Sequence, residues 1–192
     1  MKMLIGVVGM NGSGKEEFGK YLAEHYGFSH KDIGQEVRNE IKALGRNYLA
    51  REEMDAMGNG RRKLFGPDYW CRKAVESIES GKIVITSLRN IHEVEYLIAQ
   101  GGVVVEVYAD LEIRFNRTIH RVQTDPNRHG DISSLEYFKE REEENLRSKD
   151  PSKMQVLECI KMATYRINNN SSINELHEQT DRLLEQLKSP QD

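Results

Sequence analysis

Apolar residues fall along this chain in short dense runs, separated by longer stretches in which they recur every three or four positions. The runs are Leu4-Ile5-Gly6-Val7-Val8, Ile83-Val84-Ile85-Thr86, Val103-Val104-Val105-Glu106-Val107-Tyr108 and, more weakly, Tyr165-Arg166-Ile167. Val and Ile in unbroken succession, without a polar residue at every second position, mark strands covered on both faces. The intervening segments have helical period: Phe18, Tyr21 and Leu22 within 16–25, then 35–44, 51–63, 70–80 and 92–100, and finally Ile173, Leu176, Leu183, Leu184 and Leu187 within 172–187. Gly45, Gly66-Pro67, Gly81 and Gly101-Gly102 supply the stops. A short further strand fits 28–32. Buried strands alternating with helices predict a doubly wound α/β fold, a parallel β-sheet with helices on both faces.

Length and charge narrow the picture. The 192 residues suit one domain, 1–192, with a substantial core. Thr124-Asp125-Pro126-Asn127-Arg128-His129-Gly130-Asp131 is polar and turn-rich between highly charged helical segments. It predicts a surface excursion, with 117–141 as a small inserted helical lid. The 28 basic and 31 acidic residues leave a formal charge of -3, so no global basic excess points to nucleic acid. The apolar N-terminal run is too short for a signal peptide, and no stretch approaches the ~20 apolar residues that cross a bilayer. A cytoplasmic protein without membrane or nucleic-acid partners is expected. Cys71 and Cys159 have neither metal nor redox spacing and read as free, packed thiols. His25, His30, His92, His120, His129 and His177 form no metal-ligand spacing and receive no role.

The chemistry starts at Gly9-Met10-Asn11-Gly12-Ser13-Gly14-Lys15. This segment keeps the Gly-x-x-x-x-Gly-Lys spacing, follows a strand and opens a helix, the context that distinguishes a phosphate loop from a chance match. Its glycines let backbone N–H groups converge on a β-phosphate, the helix N-terminus adds partial positive charge, and Lys15 reaches the β/γ oxygens. The fold thereby becomes a P-loop NTPase fold, with ATP and Mg2+ as expected cofactors. The residue after the lysine, usually Ser or Thr on magnesium, is Glu16, followed by Glu17. These carboxylates either favour the helix dipole or contact the metal, directly or through water.

With that loop, the later arginines and the Asn168-Asn169-Asn170 run, the chain resembles the nucleoside monophosphate kinase superfamily, in particular adenylate-kinase-related and dephospho-CoA-kinase-like proteins. Ile33-Gly34-Gln35-Glu36-Val37-Arg38 is similar to the Thr-Gly-Asp-x-x-Arg segment that holds the acceptor phosphate, which implies that role for Arg38. Gln35 replaces the Asp of that motif. Ile85-Thr86-Ser87-Leu88-Arg89 is similar to a strand-end Asp-Gly-x-Arg element, which implies acceptor binding by Arg89, with Thr86 in place of Asp. Arg114, Arg117, Arg121 and Arg141 resemble arginines of a lid that closes over ATP, and Asn169 and Asn170 sit where such kinases surround the adenine. The dephospho-CoA-kinase resemblance implies that Asp32 approaches the acceptor hydroxyl as a base. A helix cap is the other role open to Asp32. Gly66-Pro67-Asp68-Tyr69-Trp70 and 84–93 are also similar to phage-type deoxynucleoside monophosphate kinases, which widens the range of acceptors.

Phosphoryl transfer asks chiefly for positioning and positive charge, and guanidinium groups supply both without losing their proton. The leading expectation is therefore an ATP-dependent phosphotransferase acting on a nucleotide or nucleotide-like acceptor. A degenerate nucleotide-binding protein is the rival, since Glu16, Gln35 and Thr86 each depart from a competent site. A nucleic-acid-handling ATPase is weaker for want of a basic stripe. Phe65, Tyr69 and Trp70 either stack on a base or fill the core.

Overall fold

The Val- and Ile-rich runs assemble into one sheet. A computed structural model describes residues 2–79, 81–124, 134–146 and 148–188. Its strands are β1 (Lys2–Val8), β2 (Ser29–Asp32), β3 (Gly81–Thr86), β4 (Val103–Tyr108) and β5 (Tyr165–Asn168), in the order β2-β3-β1-β4-β5. Every pairing is parallel, as unbroken apolar strands require. The chain runs outward from β1 to β2, returns through β3, and crosses to β4 on the other side. Direction thus reverses around β1, and the crevice beyond its carboxyl end is where open α/β sheets bind ligands.

Helices α1 (Lys15–Tyr26) and α9 (Ile173–Lys188) cover one face. Helices α2 (Ile33–Ala43), α3 (Arg51–Phe65), α4 (Tyr69–Glu76), α5 (Ile91–Ala99) and α8 (Val156–Lys161) gather over the other. The strands' period of two divides the core: Leu4, Val8, Ile83 and Ile85 face the α2–α5 side, and Ile5, Val7, Val84, Val105 and Val107 face α1 and α9. Gly6 lies on the first of these faces. A Cβ there would come within 2.6 Å of Leu88 and Leu97, so its absence lets α5 settle against β1. Helices α6 (Leu111–Thr124) and α7 (Leu135–Leu146) complete the described chain.

Two local expectations differ from the structure. Helix α4 ends at Glu76, not at residue 80. Phe28 precedes β2 and packs into the core. Helix α8, only six residues long, was not legible as a helix; burial of Val156 and Cys159 holds it. Trp70 belongs to the core, 2% exposed, and its indole N–H donates to the Gly58 carbonyl at 3.1 Å. Both cysteines are buried and unpaired, and burial pushes the Cys159 thiol up to about 12. Of the proposed lid, 125–133 lie outside the described residues.

Candidate active site

The phosphate loop follows β1 at the crevice. Gly9 has φ 141°, and a Cβ there would stand 2.3 Å from the Val107 carbonyl oxygen; Gly14, at φ 100°, would put one 2.1 Å from Asn169 Nδ2. Both positions therefore demand glycine. Gly14 is also the N-cap of α1 and provides no side-chain cap, which leaves the first-turn N–H groups to a ligand. Lys15 folds back over the loop, its Nζ donating to the carbonyls of Gly9 at 2.8 Å and Met10 at 2.6 Å, with Ser13 Oγ at 3.4 Å. Burial, reinforced by the Arg89 charge, lowers its pKa to about 7. Arg114 and Arg121 act in the same direction, and Asp32 opposes them. The crevice is thus a positive hole with one carboxylate at its rim.

That carboxylate is densely held. Asp32 caps α2, with its Oδ1 accepting the Gln35 N–H at 2.7 Å, and its Oδ2 accepts the hydroxyls of Thr86 at 2.9 Å and Ser87 at 2.8 Å. The parallel register sets Asp32 directly beside Thr86. Burial pushes the Asp32 pKa up, but the Ser87, Gln35 and Thr86 hydrogen bonds with the Arg89 charge outweigh it and hold the carboxyl below its ordinary value. Ser87 reaches it from φ 66°, a left-handed conformation that costs a non-glycine residue of order 1–3 kcal/mol and collects at functional sites. Behind Thr86, His30 Nε2 lies 2.9 Å from its hydroxyl.

The arginines divide between the crevice and its supports. Arg89, just beyond β3, donates from Nη2 to Asn11 Oδ1 of the phosphate loop at 2.9 Å, and its carbonyl accepts the Gln155 N–H at 2.7 Å. Arg38, on α2, approaches Gly34 in the turn that also carries Asp32. Arg114 is buried and donates to the carbonyls of Ala109 at 3.0 Å and Asn11 at 3.1 Å while pairing with Glu142 on α7. It braces the loop from beneath. Arg117 Nη2 lies 3.5 Å from Asn169 Oδ1. Its Nη1 is buried without a hydrogen-bond partner among the described residues, and burial lowers its pKa. Arg121 pairs loosely, at 3.9 Å, with Glu16, which Lys20 also meets at 3.5 Å. Glu17 pairs at 3.5 Å with His177 of α9. Arg141 belongs to α7, and its side chain lies outside the described residues.

Asn169 sits close behind the loop, and Asn170 meets the segment that follows β4. Asn169 is buried, donates from Nδ2 to the Ser13 carbonyl at 2.8 Å, and receives Arg117 on its oxygen. Asn170 Oδ1 accepts the Asp110 N–H at 2.7 Å. The residues without an assigned role in the sequence reading are His30, Ser87 and Glu142. Two hydroxyls at the end of a buried strand were the available signal for Ser87; nothing local distinguishes His30 or Glu142.

Known proteins resemble this chain in sequence and in fold. A family model described as an AAA domain (AAA_18) matches residues 5–147. The chain is 32% identical over 187 residues to a UPF0200 protein of Thermoplasma volcanium, covering 94% of this chain and 96% of that one. It is 30% identical over 184 residues to a UPF0200 protein of Thermoplasma acidophilum, covering 94% of each. Among solved structures, a shikimate kinase from Acinetobacter baumannii in complex with shikimate superposes with TM-score 0.65 at 20% identity, covering 99% and 97% of the two chains. A shikimate kinase from Bacteroides thetaiotaomicron gives 0.61 at 16% identity, covering 97% and 99%. The shared feature is the fold: a five-stranded parallel P-loop kinase-like sheet wrapped by helices.

Proposed function

The chain belongs to the UPF0200 family and contains an AAA domain, and from that premise we propose that it transfers the γ-phosphoryl group of ATP to a nucleotide or nucleotide-like acceptor. The observation that carries this reading is the placement of Asp32 and Arg89 at neighbouring strand ends beside the phosphate loop, with Arg89 in contact with Asn11. Hydrolysis of ATP alone does not call for a second anion-recognising group there. An acceptor held in line with the γ-phosphate does, and positioning two reactants can supply about 7–11 kcal/mol of a barrier.

In this reading Gly9 to Lys15 hold the phosphates, and Arg38 and Arg89 hold the acceptor's anionic group. Asp32 takes the proton of an acceptor hydroxyl as its oxygen bonds to phosphorus and ADP departs. A phosphate oxygen as acceptor needs no such base. Arg117, Arg121 and Arg141 offset charge on the transferring group, and Asn169 and Asn170 steady the loop near the base of ATP. Magnesium arriving with ATP would neutralise charge on the phosphate oxygens. Glu16, next to Lys15 in the first turn of α1, is the carboxylate that would hold it, and one or two carboxylates plus substrate phosphates are what this ion usually takes. Use of ATP fits a cytoplasmic location.

The test is incubation with labelled Mg-ATP and a panel of nucleoside monophosphates, deoxynucleoside monophosphates and dephospho-CoA. Transfer to one of them, lost in Arg38→Ala or Arg89→Ala with ATP affinity retained, supports the reading. Tight ATP binding without transfer to any acceptor replaces it with a nucleotide-binding protein.

A further inference from the structure

Residues 30 and 32 are two apart on β2, so their side chains leave the same face of the sheet. On β3, Thr86 stands beside Asp32 in the parallel register. The outcome is a chain of three groups from two strands: His30 Nε2 to Thr86 Oγ1 at 2.9 Å, then Thr86 Oγ1 to Asp32 Oδ2 at 2.9 Å. We propose that His30 is a positioning residue of this site, which fixes the Thr86 hydroxyl so that it donates to Asp32 and leaves the carboxylate its proton-accepting position on Oδ1. The inference rests on the phosphotransferase reading for its kinetic consequence, and on the hydrogen-bond geometry alone for its structural one.

Proton counting gives the direction of the chain. A threonine hydroxyl has one proton. Given to Asp32, it leaves only lone pairs to face the histidine, so the ring must present N–H at Nε2. The opposite tautomer would turn the Thr86 proton toward the ring and set an oxygen lone pair against the carboxylate. The hydrogen bonds from Thr86 and Ser87 fall on Oδ2, and that from the Gln35 N–H on Oδ1. A carboxylate offers about four such sites, so the two hydroxyls occupy Oδ2 and direct an incoming proton to Oδ1.

The packing around His30 agrees with a selected position. Gly19, within α1, faces the ring: a Cβ there would lie 2.4 Å from His30 Nε2 and 2.8 Å from Thr86 Cγ2. Glycine in mid-helix is less favourable than alanine. Here its absent methyl is the space in which the histidine meets the threonine.

Three variants test the assignment: His30→Leu, which removes the donor; His30→Gln, which returns an N–H at similar reach; and Thr86→Val, which severs the chain. If the chain positions the base, His30→Leu lowers kcat about tenfold with the KM for ATP unchanged, His30→Gln recovers most of it, and His30→Leu combined with Thr86→Val is no slower than Thr86→Val alone. A wild-type kcat in folded His30→Leu, or additive losses in the double variant, would overturn it. Nitrogen-15 NMR of the wild-type protein reads the His30 tautomer without any turnover. The Nε2–H form is expected, and the Nδ1–H form sinks the proposal even where transfer is observed. The Nε2–H form in a protein that transfers phosphate to no acceptor would count against the kinase reading and leave the chain standing.

Discussion

At the scale of single residues the site turns on Lys15, whose protonation the fold has moved. Lys15 is buried among Arg89, Arg114 and Arg121, and its pKa is lowered from 10.5 to about 7. Below about pH 7 the folded protein therefore bears the full cost of an uncompensated buried cation. Between about 7 and 10.5 the unfolded chain binds the extra proton, so this term makes stability rise with pH across that window. A bound phosphate supplies the missing counter-charge and recharges the lysine. ATP binding at pH 8 should thus be accompanied by uptake of up to one proton, which fades by pH 6. Calorimetry in buffers of different ionisation enthalpy measures it. In Lys15→Ala the uptake should vanish and affinity fall about 10–100-fold, the worth of one charge-assisted hydrogen bond of ~1.5–3 kcal/mol. Unchanged affinity would remove Lys15 from the phosphate site. Of these features, the lysine and its loop were legible from spacing alone. Its lowered pKa was not, because that depends on burial by the folded chain and on arginines up to about a hundred positions away.

At the scale of elements, buried ion pairs set where the loops stand. Arg62 of α3 donates from Nε to Glu93 of α5 at 2.8 Å, with 4% and 0% of the two side chains exposed. The other oxygen of Glu93 faces the Arg89 backbone N–H at 3.5 Å. A pair at this depth couples α3 and α5 to the turn that carries Arg89. Arg62→Met leaves the Glu93 carboxylate buried and unpaired and should destabilise the protein by about 3–5 kcal/mol in urea unfolding. Arg62→Met combined with Glu93→Leu should recover most of that loss, since replacing both charges removes the desolvation penalty along with the attraction. A single variant as stable as the wild type would show that water reaches the pair. The sequence placed both residues on helices but gave no reason to join them. Helical period records which face is apolar, not which charge of one buried face meets which of another.

At the scale of the whole molecule, the crevice lies between the sheet and a pair of helices that reach back to it. Helix α6 braces the phosphate loop through Arg114, and α7 returns Glu142 to the same guanidinium. Phe115 and Phe138 pack between the two helices, ring centroids 5.8 Å apart. The described ends of segment 117–141, proposed as a lid, belong to α6 and α7. Hydrogen exchange across it should slow when ATP and an acceptor analogue are bound together; equal protection with and without them would make the segment a fixed insertion. None of the described helices is long and apolar enough to cross a membrane. The parallel sheet, the phosphate loop and the placement of Asp32 and Arg89 at strand ends were determined by the sequence itself, because runs of β-branched residues, glycines at fixed offsets and turn signals act over a few positions. The partners of those residues were decided only by tertiary structure. Thr86 meets Asp32 from 54 positions away, and Asn169 holds the Ser13 carbonyl from 156. Such contacts follow from strand order and register, where a slip of one residue would turn His30 and Asp32 to the opposite face.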